Sequence, residues 1–475
     1  MTFLSVCVLG YLVLMIPISF YASKFVKNSG DYVLAGRNLP FIMATATVFA
    51  TWLGSDSIIG AGSQMAEGGF LNVISDPFGA GLCLIIIGLF FVPKLYSLNH
   101  LTIGDYYKSR YNQTIATLIS IAITFTYFGW VAAQFVALGL IMQFVFGISF
   151  ITGIVISASV VVIYTYIGGM WSVVLHDLIQ SALIIIGLVS ILLVVLWNMG
   201  GIGPIIANTP PDYFRLTPAG NIKDWLSYIA AWMAIGLGSI PQQDVYQRTM
   251  SAKSVGVSKW ASISGGILYF TVVLIPLFLG LAARILHPEL LQEGADSQLL
   301  IPTLVQLHTN IVVQVLFYGA LLSAIMSTAS AAILAPATLV AENIIRPMFP
   351  RVSDAMLLKL IKVCIVAISI GSVLIGIQQG NIYELVNSSY SITLVAAFIP
   401  LVAGLYWERA GNASAMLSIL FGTLSWQYVE HFASESYVFP STIVGLIMGT
   451  VGLLLGVILD DIIKDKKMAF KPMKR

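Results

Sequence analysis

Apolar runs long enough to cross a bilayer recur along the whole of this 475-residue chain. Inside a bilayer no water satisfies backbone N–H and C=O groups, so segments of that length fold as helices that bond to themselves. Hydrophobic residues make up 58% of the sequence and charged residues 9%, where a soluble domain carries about 25% charge. The chain therefore reads as an all-α polytopic membrane protein, a single transmembrane transporter domain over 1–475. No positive residue precedes the first run, which begins near Leu4, so that run reads as a retained helix and not as a cleaved signal peptide. Cys7, Cys83 and Cys364 lie in apolar runs and read as small buried hydrophobes. The five histidines are scattered without ligand spacing, so neither a disulfide framework nor a metal cluster is expected. With no nucleophile–base pair either, the sequence does not read as an enzyme; it calls for no cofactor and no nucleic-acid partner.

The runs give about 13 spans, at roughly 3–24, 40–67, 72–96, 114–145, 149–168, 173–199, 223–246, 260–285, 309–343, 357–378, 384–407, 412–431 and 440–462. With the N-terminus outside, all of the 23 basic residues except Arg215, Lys223 and Arg284 fall in cytoplasmic segments, Arg248 among them. The positive-inside rule thus predicts an odd number of spans in the plasma (inner) membrane, N-terminus out and C-terminus in. The loop after Arg284, with Glu289, Glu293 and Asp296, is then external. The basic tail at 463–475 reads as an orientation signal, with contact to anionic membrane lipid as the alternative. Nothing in the sequence selects a monomer over a dimer.

Within the second span stands Ala50-Thr51-Trp52-Leu53-Gly54-Ser55-Asp56-Ser57, a carboxylate, hydroxyls and a glycine at membrane depth. Charge there costs several kcal/mol and marks a functional site. Glycine beside small polar residues lets the helix open, and an opened helix frees carbonyls that suit a hard cation. Five spans later Gly236-Leu237-Gly238-Ser239-Ile240-Pro241-Gln242-Gln243-Asp244 forms a second interrupted segment. Two such segments an odd number of spans apart enter the membrane in opposite directions, which predicts inverted repeats at about 40–199 and 223–407 around a midplane site.

The ninth span carries Ala324-Ile325-Met326-Ser327-Thr328-Ala329-Ser330. Ala324 lies three and four residues before the two hydroxyls, on the same helical face. The Ala324 carbonyl with Ser327 and Thr328, completed by the carbonyls of Ala50 and Leu53, would supply five neutral oxygens, a set that suits Na⁺ better than a divalent ion. Taken alone, Ser-Thr in a membrane helix equally serves as packing glue or bonds back to its own carbonyls.

Further motifs are Tyr164-Thr165-Tyr166-Ile167-Gly168-Gly169, Asp177-Leu178-Ile179-Gln180, and Thr102, Asp105 and Tyr106 with Arg110-Tyr111. With these the chain resembles, nearly end to end, the sodium:solute symporter family, which includes sodium/glucose, sodium/proline and choline transporters. The resemblance implies a LeuT-like fold of five plus five helices with broken first helices and extra spans outside them. It implies Na⁺ as coupling ion at Ala50, Leu53, Ala324, Ser327 and Thr328. It also puts Asp177 on the sodium path, or with Ser330 in a second site, although Ala331 stands where that site would need another hydroxyl. A local pairing with His176 is the other reading of Asp177.

Local wording is nearest the choline branch, in Ala50-Thr51-Trp52, in Gly238 to Arg248, and in Trp130. Gln242 and Ala80 stand where that branch has aromatics. Tryptophans facing a cavity would attract an ammonium by cation–π, and the predicted solute-binding residues are Trp52, Ser55, Asp56, Ser57, Asp76, Trp130, Gln134, Gln242 and Gln243. The tryptophans also read as packing, the glutamines as interhelical glue, and Asp76, before Pro77, as an interfacial cap. The expected function is sodium-coupled symport of a small polar solute bearing an amino or ammonium group, choline-like or an amino acid, by alternating access. A proton-coupled carrier using Asp56, or a sugar- or carboxylate-specific member, is the alternative.

Overall fold

A computed structural model describes residues 2–349, 351–378, 381–433 and 437–469; residues 470–475 of the basic tail lie outside them. The chain is all-α. Its principal helices are α1 (Phe3–Ser23), α2 (Phe41–Trp52), α3 (Asp56–Gly68), α4 (Phe70–Leu98), α5 (Gln113–Phe146), α6 (Phe150–Asn198), α7 (Ile222–Gly238), α8 (Gln243–Ser251), α9 (Val255–Leu286), α10 (Ile311–Met348) and α11 (Asp354–Gln378). Then come α12 (Ile382–Thr393), which runs through a wide turn into α13 (Ile399–Tyr406), α14 (Asn412–Phe432) and α15 (Ser441–Ile463).

Each of the thirteen expected spans falls on helix. Eight of the described helices are long and apolar enough to cross a membrane unaided, and nine when the bent pair α2–α3 counts as one span. The other spans are hidden by breaks and by polar content. At 49 residues, α6 would reach about 74 Å, more than twice the ~30 Å hydrocarbon core. It is interrupted at Gly169, with φ 52 and ψ −141, and forms two spans. A side chain at Gly169 would be strained by the positive φ and would also strike Tyr32. The tight Gly-Gly turn of the motif noted above is therefore a corner between two membrane crossings.

Two packed groups surround the breaks. In the first, α9 lies against α2, α3 and α4. In the second, α10 lies against α5, α6 and α11, and α1 packs along α6. The short α8 fits between α2, α9 and α10, while α14 and α15 pair with each other and touch the rest through the α12–α13 junction. This is the LeuT-like arrangement, five plus five helices with broken first helices, carrying extra spans at its edges.

Candidate functional site

The site is built at the first break. Regular helix ends at Trp52, Leu53 takes φ −91 and ψ 79, and α3 leaves at 59° to α2. Gly54 occupies the corner. A methyl group there would lie 2.6 Å from Asp56 Oδ1, 2.9 Å from Gln134 Oε1 and 3.0 Å from Thr328 Cγ2. One hydrogen-sized space is thus shared by the two functions predicted for this stretch, with the hydroxyl-bearing helix α10 on one side and the Asp56 carboxylate on the other.

On the α10 side, Thr328 Oγ1 donates to the carbonyl of Thr51 at 2.9 Å and lies 3.4 Å from that of Ala50. Ser327 Oγ donates to Asp177 Oδ1 at 2.5 Å, and Thr47 Oγ1 donates to Asp177 Oδ2. Asp177 on α6 therefore joins α2 to α10, and it is fully buried. His176 turns elsewhere, with Nε2 3.0 Å from the carbonyl of Met15, so it is not the partner of Asp177. Ser330 bonds back to the carbonyl of Ser327 at 2.9 Å, and Tyr164 Oη holds the carbonyl of Met326 at 2.5 Å. Ala324 and Leu53 are fully buried on the same two elements, with no side-chain bond joining them to this group. The hydroxyl protons of Ser327 and Thr328 are directed at protein acceptors. Their lone pairs remain for a cation, which is the polarity a neutral oxygen ligand needs.

On the other side, Gln134 of α5 spans the break. Its Nε2 donates to Asp56 Oδ1 at 3.2 Å, and its Oε1 accepts the Ser55 N–H at 3.0 Å. An amide so placed satisfies an N–H released by the open helix and a carboxylate at once. Ser57 Oγ lies 3.0 Å from the carbonyl of Trp52, 2.8 Å from Tyr269 Oη and 3.3 Å from Asp76 Oδ2, while Tyr269 donates to Asp76 Oδ1 at 2.6 Å. Asp76 is thus buried among α3, α4 and α9 and does not cap an interfacial helix end. Trp130 stacks near Tyr127 and Tyr390, with ring centroids 5.9 and 6.0 Å away. Trp52 is buried.

The second break is less unified. Gln242 Nε2 reaches Thr126 and Thr393 at 3.1 and 3.3 Å, bridging α5 and α12. Gln243 stands apart from the acidic groups; its Oε1 accepts the N–H of Ile103 at 2.8 Å, in the connection between α4 and α5. Asp244 receives the hydroxyl of Tyr127 at 2.5 Å.

Sequence reading missed several members. Thr47, Thr51, Tyr127, Tyr269 and Tyr390 sit in apolar spans and look like packing. The sequence places Arg248 among the cytoplasmic charges, and the structure corrects this by burying it. The guanidinium is 1% exposed, donating Nε–H to Thr51 Oγ1 at 2.6 Å and Nη1–H to the carbonyl of Asp244 at 3.2 Å. It was misplaced because a basic residue near a helix end, followed by Lys253 and Lys259, has the pattern of an interface. Only the packing of α8 between other helices buries it. Among the described residues no three or more His, Cys, Asp or Glu side chains form a metal cluster.

Residues 32–422 match the model of the sodium:solute symporter family. High-affinity choline transporter 1 of Caenorhabditis elegans is 23% identical, covering 88% of this chain and 76% of that protein. The sodium/pantothenate symporter of Haemophilus influenzae is 25% identical, covering 90% and 89%. Among solved structures, a substrate-bound, outward-open Na⁺-coupled sialic acid symporter superposes with a TM-score of 0.82 at 22% identity, over 97% of this chain and 98% of that one.

Proposed function

The chain belongs to the sodium:solute symporter family, and from that premise we propose that it is a sodium-coupled symporter whose solute is a small polar molecule bearing an amino or ammonium group. The observation that carries the solute class is the pair Asp56 and Asp76. Both carboxylates are buried, and neither takes part in any of the ion pairs found among the described residues. They are held by neutral donors, Gln134 on one and Tyr269 with Ser57 on the other. A buried carboxylate without a cation is costly, and a cationic solute group relieves that cost. Trp130, Tyr127 and Tyr390 add ring faces suited to an ammonium. Choline-related and amino-acid-like solutes both meet this description.

Na⁺ is bound by the carbonyls of Ala50, Leu53 and Ala324 and the hydroxyls of Ser327 and Thr328, so that one ion ties the broken helix to α10. Asp177 lies beside that cage and receives the ion on its way out, with Ser330 on the same helix face. The repeats run over about 40–199 and 223–407, the N-terminus is outside, and rocking of one group of helices against the other exposes the site alternately. One charge crossing ~100 mV supplies about 2.3 kcal/mol, and a tenfold Na⁺ gradient adds about 1.4 kcal/mol. The deciding experiment is a screen of uptake and thermal stability with amines, betaines, amino acids, sugars and carboxylates, with and without Na⁺. The reading expects Na⁺-dependent stabilisation by cationic or zwitterionic solutes. Response to sugars or to simple carboxylates alone would overturn the assignment of Asp56 and Asp76.

A further inference from the structure

Two histidines outside the candidate site meet in the connection between α9 and α10. His287 caps the C-terminal end of α9, its N–H on the carbonyl of Ala283 at 2.7 Å. His308 ends the helix Leu300–His308, which leads into α10. Their Nε2 atoms are 2.9 Å apart. Nδ1 of His287 lies 2.9 Å from Glu289 Oε1. An ionised carboxylate only accepts, so Nδ1 of His287 donates to Glu289, and its Nε2 is the nitrogen that meets His308. The backbone of His308 is fixed in turn, its carbonyl held by Asn198 Nδ2 at 2.9 Å.

We propose that His287 and His308 are a binding site for a divalent transition-metal ion of the borderline class, such as zinc, with water completing its shell. A tetrahedral ion at about 2.05 Å from two imidazole nitrogens holds them about 3.3 Å apart. The rings approach end-on, with centroids 5.1 Å apart, so they must part by roughly 0.4 Å and also turn for both lone pairs to converge on the ion. The Glu289 carboxylate behind His287 is the outer partner that orients metal-bound histidines and raises their basicity. Two nitrogen donors select zinc-class ions over Ca²⁺ and Mg²⁺, which require oxygen.

The position of the pair gives the site a consequence. His287 ends α9, which packs with α2, α3 and α4, and His308 closes a short helix that packs against both α9 and α10 and is tied to the end of α6 through Asn198. An ion held by both rings fastens one group of helices to the other. It therefore inhibits transport if those groups must move past one another, a consequence that rests on the alternating-access reading above; the binding itself does not.

The test is calorimetric titration of Zn²⁺ into purified, full-length protein carrying no histidine tag. One ion bound with micromolar affinity is expected. His308→Gln and His287→Gln should each weaken it at least tenfold, and Glu289→Gln by a smaller factor, with melting temperatures confirming that the variants fold. Zn²⁺ affinity unchanged in His308→Gln, or only millimolar binding by the unsubstituted protein, would overturn the proposal. Ca²⁺ competing equally with Zn²⁺ would do the same. Because the titration reads no transport, its failure leaves the symport reading untouched. Zn²⁺ inhibition of uptake that His308→Gln abolishes would add the clamp, and binding without inhibition would remove the clamp alone.

Discussion

Ser327 on α10 gives its hydroxyl proton to Asp177 on α6 at 2.5 Å, and Thr47 on α2 gives its own to the other oxygen of the same carboxylate. Beside them Thr328 grips the carbonyl of Thr51, where α2 comes apart. The carboxylate thus orders two hydroxyls from different helices, one of them a member of the Na⁺ cage proposed above. On that proposal Asp177 supports the cage and is not merely a station on a path.

The first prediction concerns that support. Ser327→Ala and Thr328→Ala should each raise the Na⁺ concentration for half-maximal uptake at least tenfold, the effect of losing about 1.4 kcal/mol of ion binding. Asp177→Asn should do the same while leaving Na⁺-independent solute exchange measurable. Proteoliposome uptake against Na⁺ concentration reads all three. An unchanged Na⁺ dependence in the Ser327→Ala, Thr328→Ala double variant would remove the cage assignment.

Gly54 is the next. Its absent side chain leaves room for Asp56, Gln134 and Thr328 together. Gly54→Ala should therefore impair Na⁺ and solute response at once, with an overpacking cost of about 1–3 kcal/mol visible as a lower melting temperature. Loss of solute response with normal Na⁺ response would show that the two halves do not share this corner.

How much of this was legible beforehand depended on what signalled each part. The two broken helices announce themselves because Gly-Ser-Asp and Gly-Ser-Ile-Pro conflict with the apolar context around them, and Ser327-Thr328 stands out for the same reason. Asp56, Asp76 and Gln134 were found as polar residues in apolar spans. Tyr269 and Tyr127 were not, since a tyrosine is half apolar and its hydroxyl partner lies 193 and 117 residues away respectively. Arg248 failed for the converse reason. Charge near a helix end is the pattern of an exposed interface, and its burial follows from where α8 packs, which no local window contains. Gln242 and Gln243 both act between elements, Gln242 just before α8 reaching α5 and α12 while Gln243 bonds the connection before α5, a divergence that follows from where α8 packs.

Arg248 supports a third prediction. Thr51 receives the guanidinium on its hydroxyl and Thr328 on its carbonyl, so one residue links the buried cation of α8 to the ion cage. Removing the guanidinium leaves the buried Thr51 hydroxyl and the Asp244 carbonyl without their donor, at a cost of about 1–3 kcal/mol. Arg248→Gln should lower the melting temperature and abolish uptake. Thr51→Val keeps the volume and removes the hydroxyl that accepts from Arg248 and donates to the carbonyl of Thr47, and it should weaken the Na⁺ dependence with less loss of stability than Arg248→Gln. If Thr51→Val transports with normal Na⁺ response, the link has no part in coupling.

The last prediction separates the two carboxylates of the solute half. Asp56 takes its side-chain hydrogen bond from Gln134 at 3.2 Å, whereas Asp76 takes a much shorter one from Tyr269 at 2.6 Å. The carboxylate with the longer, weaker side-chain bond is the one expected to meet a solute cation, and the one bonded to Tyr269 positions α4 against α9. Asp56→Asn keeps the size and an amide's hydrogen bonds while removing the charge, so it should raise the half-saturating concentration of a cationic solute at least tenfold and leave protein stability nearly unchanged. Asp76→Asn should instead lower the melting temperature, because the short 2.6 Å bond from Tyr269 is charge-assisted and weakens when its acceptor is neutral, and Tyr269→Phe should reproduce that effect. Binding of the solute in the Na⁺-loaded protein, measured alongside thermal unfolding of each variant, distinguishes the two. Equal effects on affinity and stability from both substitutions would mean that the carboxylates act as one site and that the asymmetry in their hydrogen bonds carries no functional division.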